Sequence, residues 1–175
     1  MKITPFQATH KKRVMALSIV ILGSVLGIGY YSYVSVIVPH YPLASQDSVS
    51  SWNFPSVYTK GSEDEKRVQT EIDTLKGLLG KQNSDYEVLV GIAAEYELLG
   101  EGQKSYLYLS KAISDSPNKA LAYFSMGHLL ERVGALYSAK KAYGLAVEKE
   151  PGNTLYKSYL DRFLNKYVEQ AKTAK

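Results

Sequence analysis

Hydrophobic and polar positions divide this chain into one long apolar stretch and a series of amphipathic segments. From Val14 to Val38 there is no charged residue, no proline and no amide side chain. After residue 61, apolar residues recur three and four positions apart, which is the period of a helix with one buried face. The pattern predicts an all-α protein, in which one apolar helix precedes about six amphipathic helices.

The apolar stretch predicts a transmembrane helix over residues 14–38. A helix of this length spans roughly 37 Å, and the hydrocarbon core of a bilayer is about 30 Å thick. Residues 1–13 contain four basic side chains, and no Lys or Arg follows until Lys60. We therefore expect a cytoplasmic N-terminus and an extracytoplasmic C-terminal domain, periplasmic or on the cell surface if the source is bacterial.

The same stretch also has features of a signal peptide, and two interpretations remain open. Its length exceeds the apolar region of most signal peptides, which favours an uncleaved signal anchor. Cleavage near Ser45 is the alternative. Within the span, Gly23 and Gly27 form a small-xxx-small pair that would let a second membrane helix approach closely. The ordinary glycine content of membrane helices is the simpler explanation of the pair.

Residues 39–61 are predicted to form a linker. The stretch contains three prolines and five serines and has neither helical nor alternating periodicity. Trp52 and Phe54 are unusual in a solvated linker. We expect them to pack on the following domain, with a partner protein or the membrane surface as alternatives.

Residues 62–175 are predicted to form the helical domain. Ser62 with Glu65, and Ser84 with Glu87, have the spacing of capping boxes that begin helices. In the first helix, an apolar face is predicted to extend through Leu78 to Leu79. The later helices are predicted at 86–99, 103–115, 120–133, 136–149 and 154–172.

Three pairs of like residues in this domain stand 34 positions apart. They are Gly100 and Gly134, Ala112 and Ala146, and Pro117 and Pro151. A fixed period of this length, with helical sequence between glycine and proline, is typical of stacked helix–turn–helix repeats.

This spacing resembles that of the tetratricopeptide repeat (TPR) family. The second unit, residues 120–153, has the family's residue types at Tyr123, Met126, Gly127, Leu130, Gly134, Ala139, Tyr143, Ala146 and Pro151. The first unit, residues 86–119, is looser, with Leu89, Ile92, Ala93, Tyr96, Gly100, Ser105, Leu109, Ala112 and Pro117. The resemblance implies an α-solenoid of two full repeats, flanked by a packing helix and a terminal capping helix. The polar side of the capping helix, with Asp161, Arg162, Asn165 and Lys166, is expected to face water.

In the TPR family, the first helix of each repeat lines a groove that binds peptides or partner helices. Transferred to this sequence, those positions are Glu87, Val90, Ala94, Glu97, Leu121, Phe124, His128, Glu131 and Arg132. Their composition favours an apolar groove for an amphipathic helix or an extended apolar segment. Alternatively, the linker or the terminal helix fills the groove.

The charge distribution and the residue composition argue against several classes of function. The net charge of +4 comes from the N-terminus, because residues 61–175 contain 16 basic and 16 acidic side chains. We therefore expect no nucleic-acid binding. There is no cysteine, and His128 is the only histidine after residue 61. Without a phosphate-binding loop, a nucleophile elbow or a ligand cluster, we expect no cofactor, no metal, no small-molecule substrate and no enzymatic activity.

The sequence therefore predicts a membrane-anchored protein-binding module. It would act as an assembly factor, a scaffold or an accessory subunit of a membrane complex, with the lipid bilayer and another protein as its partners. The alternative is a constitutive structural subunit that is held mainly by its transmembrane helix.

Overall fold

A computed structural model describes residues 41–81 and 84–173 of the chain. The predicted cytoplasmic N-terminus, the predicted span and its glycines Gly23 and Gly27 lie outside the described residues. Within the described ranges, no helix is both long and apolar enough to cross a bilayer.

The described residues form an all-α domain of six helices. In chain order these are α1 (Glu63–Lys76), α2 (Tyr86–Leu98), α3 (Gly102–Asp115), α4 (Ala120–Arg132), α5 (Leu136–Lys149) and α6 (Thr154–Thr173). Each helix packs on the next one, and α2 also packs on α4. The helical bounds differ from the sequence prediction by at most a residue or two after α1.

The end of α1 and the beginning of α2 both differ from the prediction. Ser62 caps α1 by accepting a hydrogen bond from the Glu65 amide at 3.1 Å, as predicted. The helix ends at Lys76, however, and Leu78 lies in the following turn with 39% of its surface exposed. The predicted capping box of Ser84 and Glu87 is wrong, because Asp85 holds the N-cap position of α2 and makes no side-chain cap bond.

The 34-residue spacing recurs in the turns inside each helix pair. Gly100 and Gly134 adopt φ angles of +75° and +83°, a conformation that is unfavourable for residues with a Cβ atom. The amide after each glycine bonds the carbonyl five residues earlier, at 2.9 Å after Gly100 and 2.8 Å after Gly134. Both turns are therefore Schellman motifs, which end α2 and α4 in the same way.

The ends of α3 and α5 repeat as well. Ser116 and Glu150 have φ angles of −139° and −130°, with a ψ of 73° at both. Their amides bond the carbonyls of Ala112 and Ala146 at 3.0 and 3.1 Å. The like residues in the sequence thus stand at like positions in the backbone.

Small residues lie where the paired helices cross. Ala93, Ser105, Gly127 and Ala139, the small residues of the repeat pattern, are all buried. A Cβ atom on Gly127 would lie 2.6 Å from the Tyr143 ring, so the ring packs directly on the backbone of α4. The close approach of α4 and α5 therefore requires glycine at this position.

The N-terminal segment, residues 41–58, packs on the helices. Tyr41 is only 5% exposed, and its amide donates to the Ser110 hydroxyl at 2.9 Å. The Tyr106 hydroxyl donates to the Tyr41 carbonyl, and the Ala44 amide donates to the Ser138 hydroxyl at 2.8 Å. Most of the predicted linker is thus an integral part of the helical domain.

Trp52 and Phe54 complete this contact at the turn between α2 and α3. The Trp52 ring lies 4.8 Å from the Tyr106 ring, and the Phe54 amide donates to the Gly100 carbonyl at 3.2 Å. Both rings are half-buried. Both residues therefore pack on the helical domain, as expected from the sequence, where a partner protein and the membrane surface were the alternatives.

Asp47 of the N-terminal segment caps α5. Its carboxylate accepts hydrogen bonds from the amides of Tyr137 at 3.0 Å and Ser138 at 2.8 Å. The residue at the N-cap position, Ala135, has no side chain that could accept these bonds. The negative charge also stabilises the positive end of the helix dipole.

We expect Asp47→Ala to lower the free energy of unfolding by about 1 kcal/mol, the usual effect of removing an N-cap side chain. Urea denaturation followed by circular dichroism measures the change. Ser48→Ala, an exposed neighbouring substitution, serves as the control. Equal stability of the two variants would contradict the capping role.

Candidate interaction site

The predicted groove residues form one stripe of α2 and one stripe of α4, and Glu97, His128, Glu131 and Arg132 of these stripes line a common cleft with α6. We call the surface that the two stripes form with α6 the groove face. Glu87, Ala94, Leu121 and Arg132 are exposed on it. The others are half-buried, namely Val90, Glu97, Phe124, His128 and Glu131. Thus the predicted residues remain partly or fully accessible.

One end of the groove face is apolar. Leu121 in α4 and Leu155 in α6 are 44% and 53% exposed, and they stand 34 positions apart at the beginnings of their helices. Glu87 holds the equivalent position on α2 and pairs with Lys119, with 2.5 Å between carboxylate oxygen and ammonium nitrogen. The hydrogen bond from Lys119 lowers the pKa of Glu87.

Phe124 is largely covered by its own domain. Its ring lies 4.6 Å from Tyr156 and 5.0 Å from Tyr159 of α6, and 5.9 Å from Tyr143 of α5. The terminal helix therefore covers the Phe124 part of the predicted apolar groove. The exposed leucines, rather than Phe124, carry the accessible apolar surface.

The other end of the groove face contains a charged cleft of about 610 Å³ between α2, α4 and α6. The Tyr159 and Phe163 rings form part of its wall. Its polar lining consists of Glu97, His128, Glu131, Arg132, Arg162 and Lys166. Three permanently basic groups thus face two carboxylates.

Both carboxylates of this cleft have basic partners. Glu131 accepts from Lys166 at 2.9 Å and from the Tyr143 hydroxyl at 3.0 Å. Burial opposes ionisation of Glu131, but these hydrogen bonds outweigh it and lower its pKa. Glu97 lies 3.5 Å from Arg132, and there burial prevails over the weaker pair and raises the Glu97 pKa.

Arg162 and Lys166 are the charged cleft residues that were not predicted from the sequence to line the groove. The terminal helix reads as a cap with a water-facing polar side, and both residues belong to that side. Extending the repeat spacing once more would have found them. Arg162 stands 34 positions after His128, and Lys166 stands 34 positions after Arg132.

Arg132 connects the cleft to the N-terminal segment. Its guanidinium carbon lies 4.0 Å from the centre of the Phe54 ring, a cation–π distance. The same guanidinium pairs with Glu97. The docked Phe54 therefore restricts where Arg132 can place its charge.

His128 lies among aromatic rings at the edge of the cleft. Its ring is 4.9 Å from Phe124, 5.7 Å from Tyr143 and 4.8 Å from Tyr159. Burial lowers its pKa; Glu131 opposes this effect and Arg162 adds to it. Among the described residues, no group of three or more potential ligands could hold a metal ion.

The lowered pKa of His128 predicts a pH dependence of stability. In the unfolded chain the His128 ring should bind a proton near pH 6.5, whereas in the folded domain it should bind the proton only at a lower pH. The histidine's contribution is therefore complete above this pH and is lost as the pH falls below it. The raised pKa of Glu97 acts in the opposite direction, because the folded state then holds a proton that the unfolded state releases.

Comparing the pH dependence of the free energy of unfolding between wild type and His128→Gln isolates the contribution of the histidine. We expect the substitution to reduce the loss of stability that the wild type shows on acidification from about pH 7 to pH 5. Urea denaturation at several pH values measures this slope. A wild-type slope unchanged in His128→Gln would show that the histidine does not carry it.

The fold and this face define a small all-α domain built of repeated helical hairpins, with an accessible surface that is apolar at one end and charged at the other. Comparison with protein-family models finds no match, and comparison with curated proteins finds no significant match.

Proposed function

We propose that this chain is a membrane-anchored, TPR-like module that binds another protein on its groove face. It would act as an assembly factor, a scaffold or an accessory subunit of a membrane complex. The observation that best supports this proposal is the location of the N-terminal segment. It docks on α3, on the α2–α3 turn and at the beginning of α5, whereas Leu121, Leu155 and the charged cleft stay accessible.

Two further observations support the proposal. The turns after α2 and α4, and the ends of α3 and α5, recur with the 34-residue spacing that is typical of TPR units. The apolar sequence of residues 14–38 supports the membrane anchor, and the basic residues before it support an extracytoplasmic domain. Repeat domains of this kind present binding surfaces formed by side chains of successive helices.

Copurification after mild detergent extraction of native membranes tests the proposal. We expect a reproducible protein partner that is lost in Leu121→Asp, because a charge there opposes burial of the apolar end. Leu78→Asp is a matched control, since Leu78 is similarly exposed but lies in the turn after α1. A chain that purifies alone in all preparations would refute the proposal.

A second pair of substitutions distinguishes the groove face from the membrane span. If the chain is a structural subunit held by its span, replacing Gly23 and Gly27 by leucine should abolish copurification while Leu121→Asp leaves it intact. Phe124→Asp is unsuitable for this comparison, because Phe124 packs within the aromatic cluster and its loss would disturb the fold.

A further inference from the structure

Arg162 has no carboxylate within 4 Å among the residues that the structure describes. The other two cations of the cleft are compensated, Arg132 by Glu97 and Lys166 by Glu131. The lining therefore carries one positive charge in excess, and that charge belongs to Arg162.

The geometry of Arg162 leaves its hydrogen-bond donors available. Its guanidinium carbon lies 4.0 Å from the centre of the Tyr159 ring, so that one face of the group is covered by the ring. A guanidinium in this position keeps its N–H donors at the edge, where they match the two oxygens of a carboxylate. Stacking on tyrosine also limits the motion of the side chain, which reduces the entropy lost on binding.

The apolar end of the groove face is at a defined distance from this cation. Leu155 and Arg162 lie seven residues apart on α6, which is about 10 Å along a helix. Leu121, 34 positions before Leu155, holds the equivalent position at the beginning of α4 and is exposed as well. An incoming chain could therefore place an aliphatic side chain at one end and an acidic side chain at the other.

We propose that the groove face recognises an acidic protein segment, in which an Asp or Glu side chain binds Arg162 and an aliphatic side chain about 10 Å away contacts Leu121 and Leu155. This inference rests on the proposed protein-binding function and specifies the class of partner. Charge complementarity selects the acidic segment, because the uncompensated group in the cleft is a cation. A basic or neutral segment would leave Arg162 unpaired or repelled.

A peptide library tests this specificity without knowledge of the natural partner. The full chain, purified in mild detergent, is presented with a phage library of random 12-residue peptides. We expect the selected peptides to be richer in Asp and Glu than the input library. Replacing the acidic residue of a selected peptide by its amide should weaken binding about tenfold, as expected for a hydrogen-bonded charged pair.

Variants of the chain assign the effect to Arg162. Arg162→Glu should abolish binding of the selected peptides, and Arg162→Lys should retain part of it, because lysine keeps the charge without the paired donors. Lys157→Glu makes the same charge change at an exposed site on α6 outside the cleft, and should bind as wild type does. Circular dichroism verifies that each variant is folded.

Several outcomes would overturn the inference. These are the absence of any selected peptide, selection of peptides without acidic enrichment, and equal binding by wild type and Arg162→Glu. The copurification experiment separates the two proposals. A native partner that is lost in Leu121→Asp but kept in Arg162→Glu would refute the acidic segment and retain the protein-binding function.

Discussion

Replacing Tyr143 by alanine is expected to lower the free energy of unfolding by about 3–5 kcal/mol, the usual cost of removing a large aromatic ring from a core. Tyr143 is 1% exposed and lies directly on the backbone at Gly127. Its ring also contacts Phe124 and Phe163, so it joins α4, α5 and α6. Urea denaturation followed by circular dichroism measures the loss.

Tyr137→Ala is the matched control, because Tyr137 lies on the same helix and is 62% exposed. Its effect should stay within about 0.5 kcal/mol. Tyr143→Phe then separates the ring from the hydroxyl, whose hydrogen bond to Glu131 it removes. A loss in Tyr143→Ala no larger than in Tyr137→Ala would contradict the packing described for this residue.

Alanine at Gly100 and alanine at Gly134 should differ in their effects, although the two glycines have equivalent backbone conformations. Gly134→Ala is expected to cost about 1–2 kcal/mol, the penalty for a side chain in the left-handed region, because nothing lies within 4 Å of the added Cβ. At Gly100 the Cβ would lie 2.1 Å from the Phe54 carbonyl oxygen. That clash should add about 1–3 kcal/mol or displace the N-terminal segment.

Two measurements distinguish these consequences. Urea denaturation gives the difference in stability between the two variants. Chymotrypsin, which cleaves after aromatic residues that no proline follows, should cut after Trp52 more readily in Gly100→Ala than in Gly134→Ala. Identical stability and identical cleavage would mean that the segment does not depend on the close approach at Gly100.

The helices were predictable because their signals are local. The 34-residue spacing located both helix pairs, because a glycine or a proline ends a helix at or next to its own position. Gly134 lies in the turn after α4, and Pro151 follows the end of α5. Leu78 shows the limit of this reasoning, because a periodic apolar position does not reveal that Gly77 has already ended the helix. Capping was predictable only from residues adjacent in sequence, as at Ser62.

The cap that Asp47 provides and the location of Arg162 and Lys166 in the cleft were missed for a different reason. Asp47 caps a helix that begins about 90 residues later, and no periodic pattern in residues 41–58 indicates that contact. Arg162 and Lys166 follow the repeat spacing, but they were assigned to the water-facing side of a cap. Their role depends on the position of α6 beside α4, which side-chain contacts reveal and composition does not.

The long sequence separation of the docked segment has a consequence for biosynthesis. The amide of Tyr41 bonds a residue 69 positions later, and that of Ala44 bonds one 94 positions later. Adjacent helices can associate as soon as each hairpin leaves the ribosome, because their contacts are local in sequence. Ala44 and Asp47, although translated earlier, must wait for Ser138 and therefore reach their final contacts after α1 to α4 have been made.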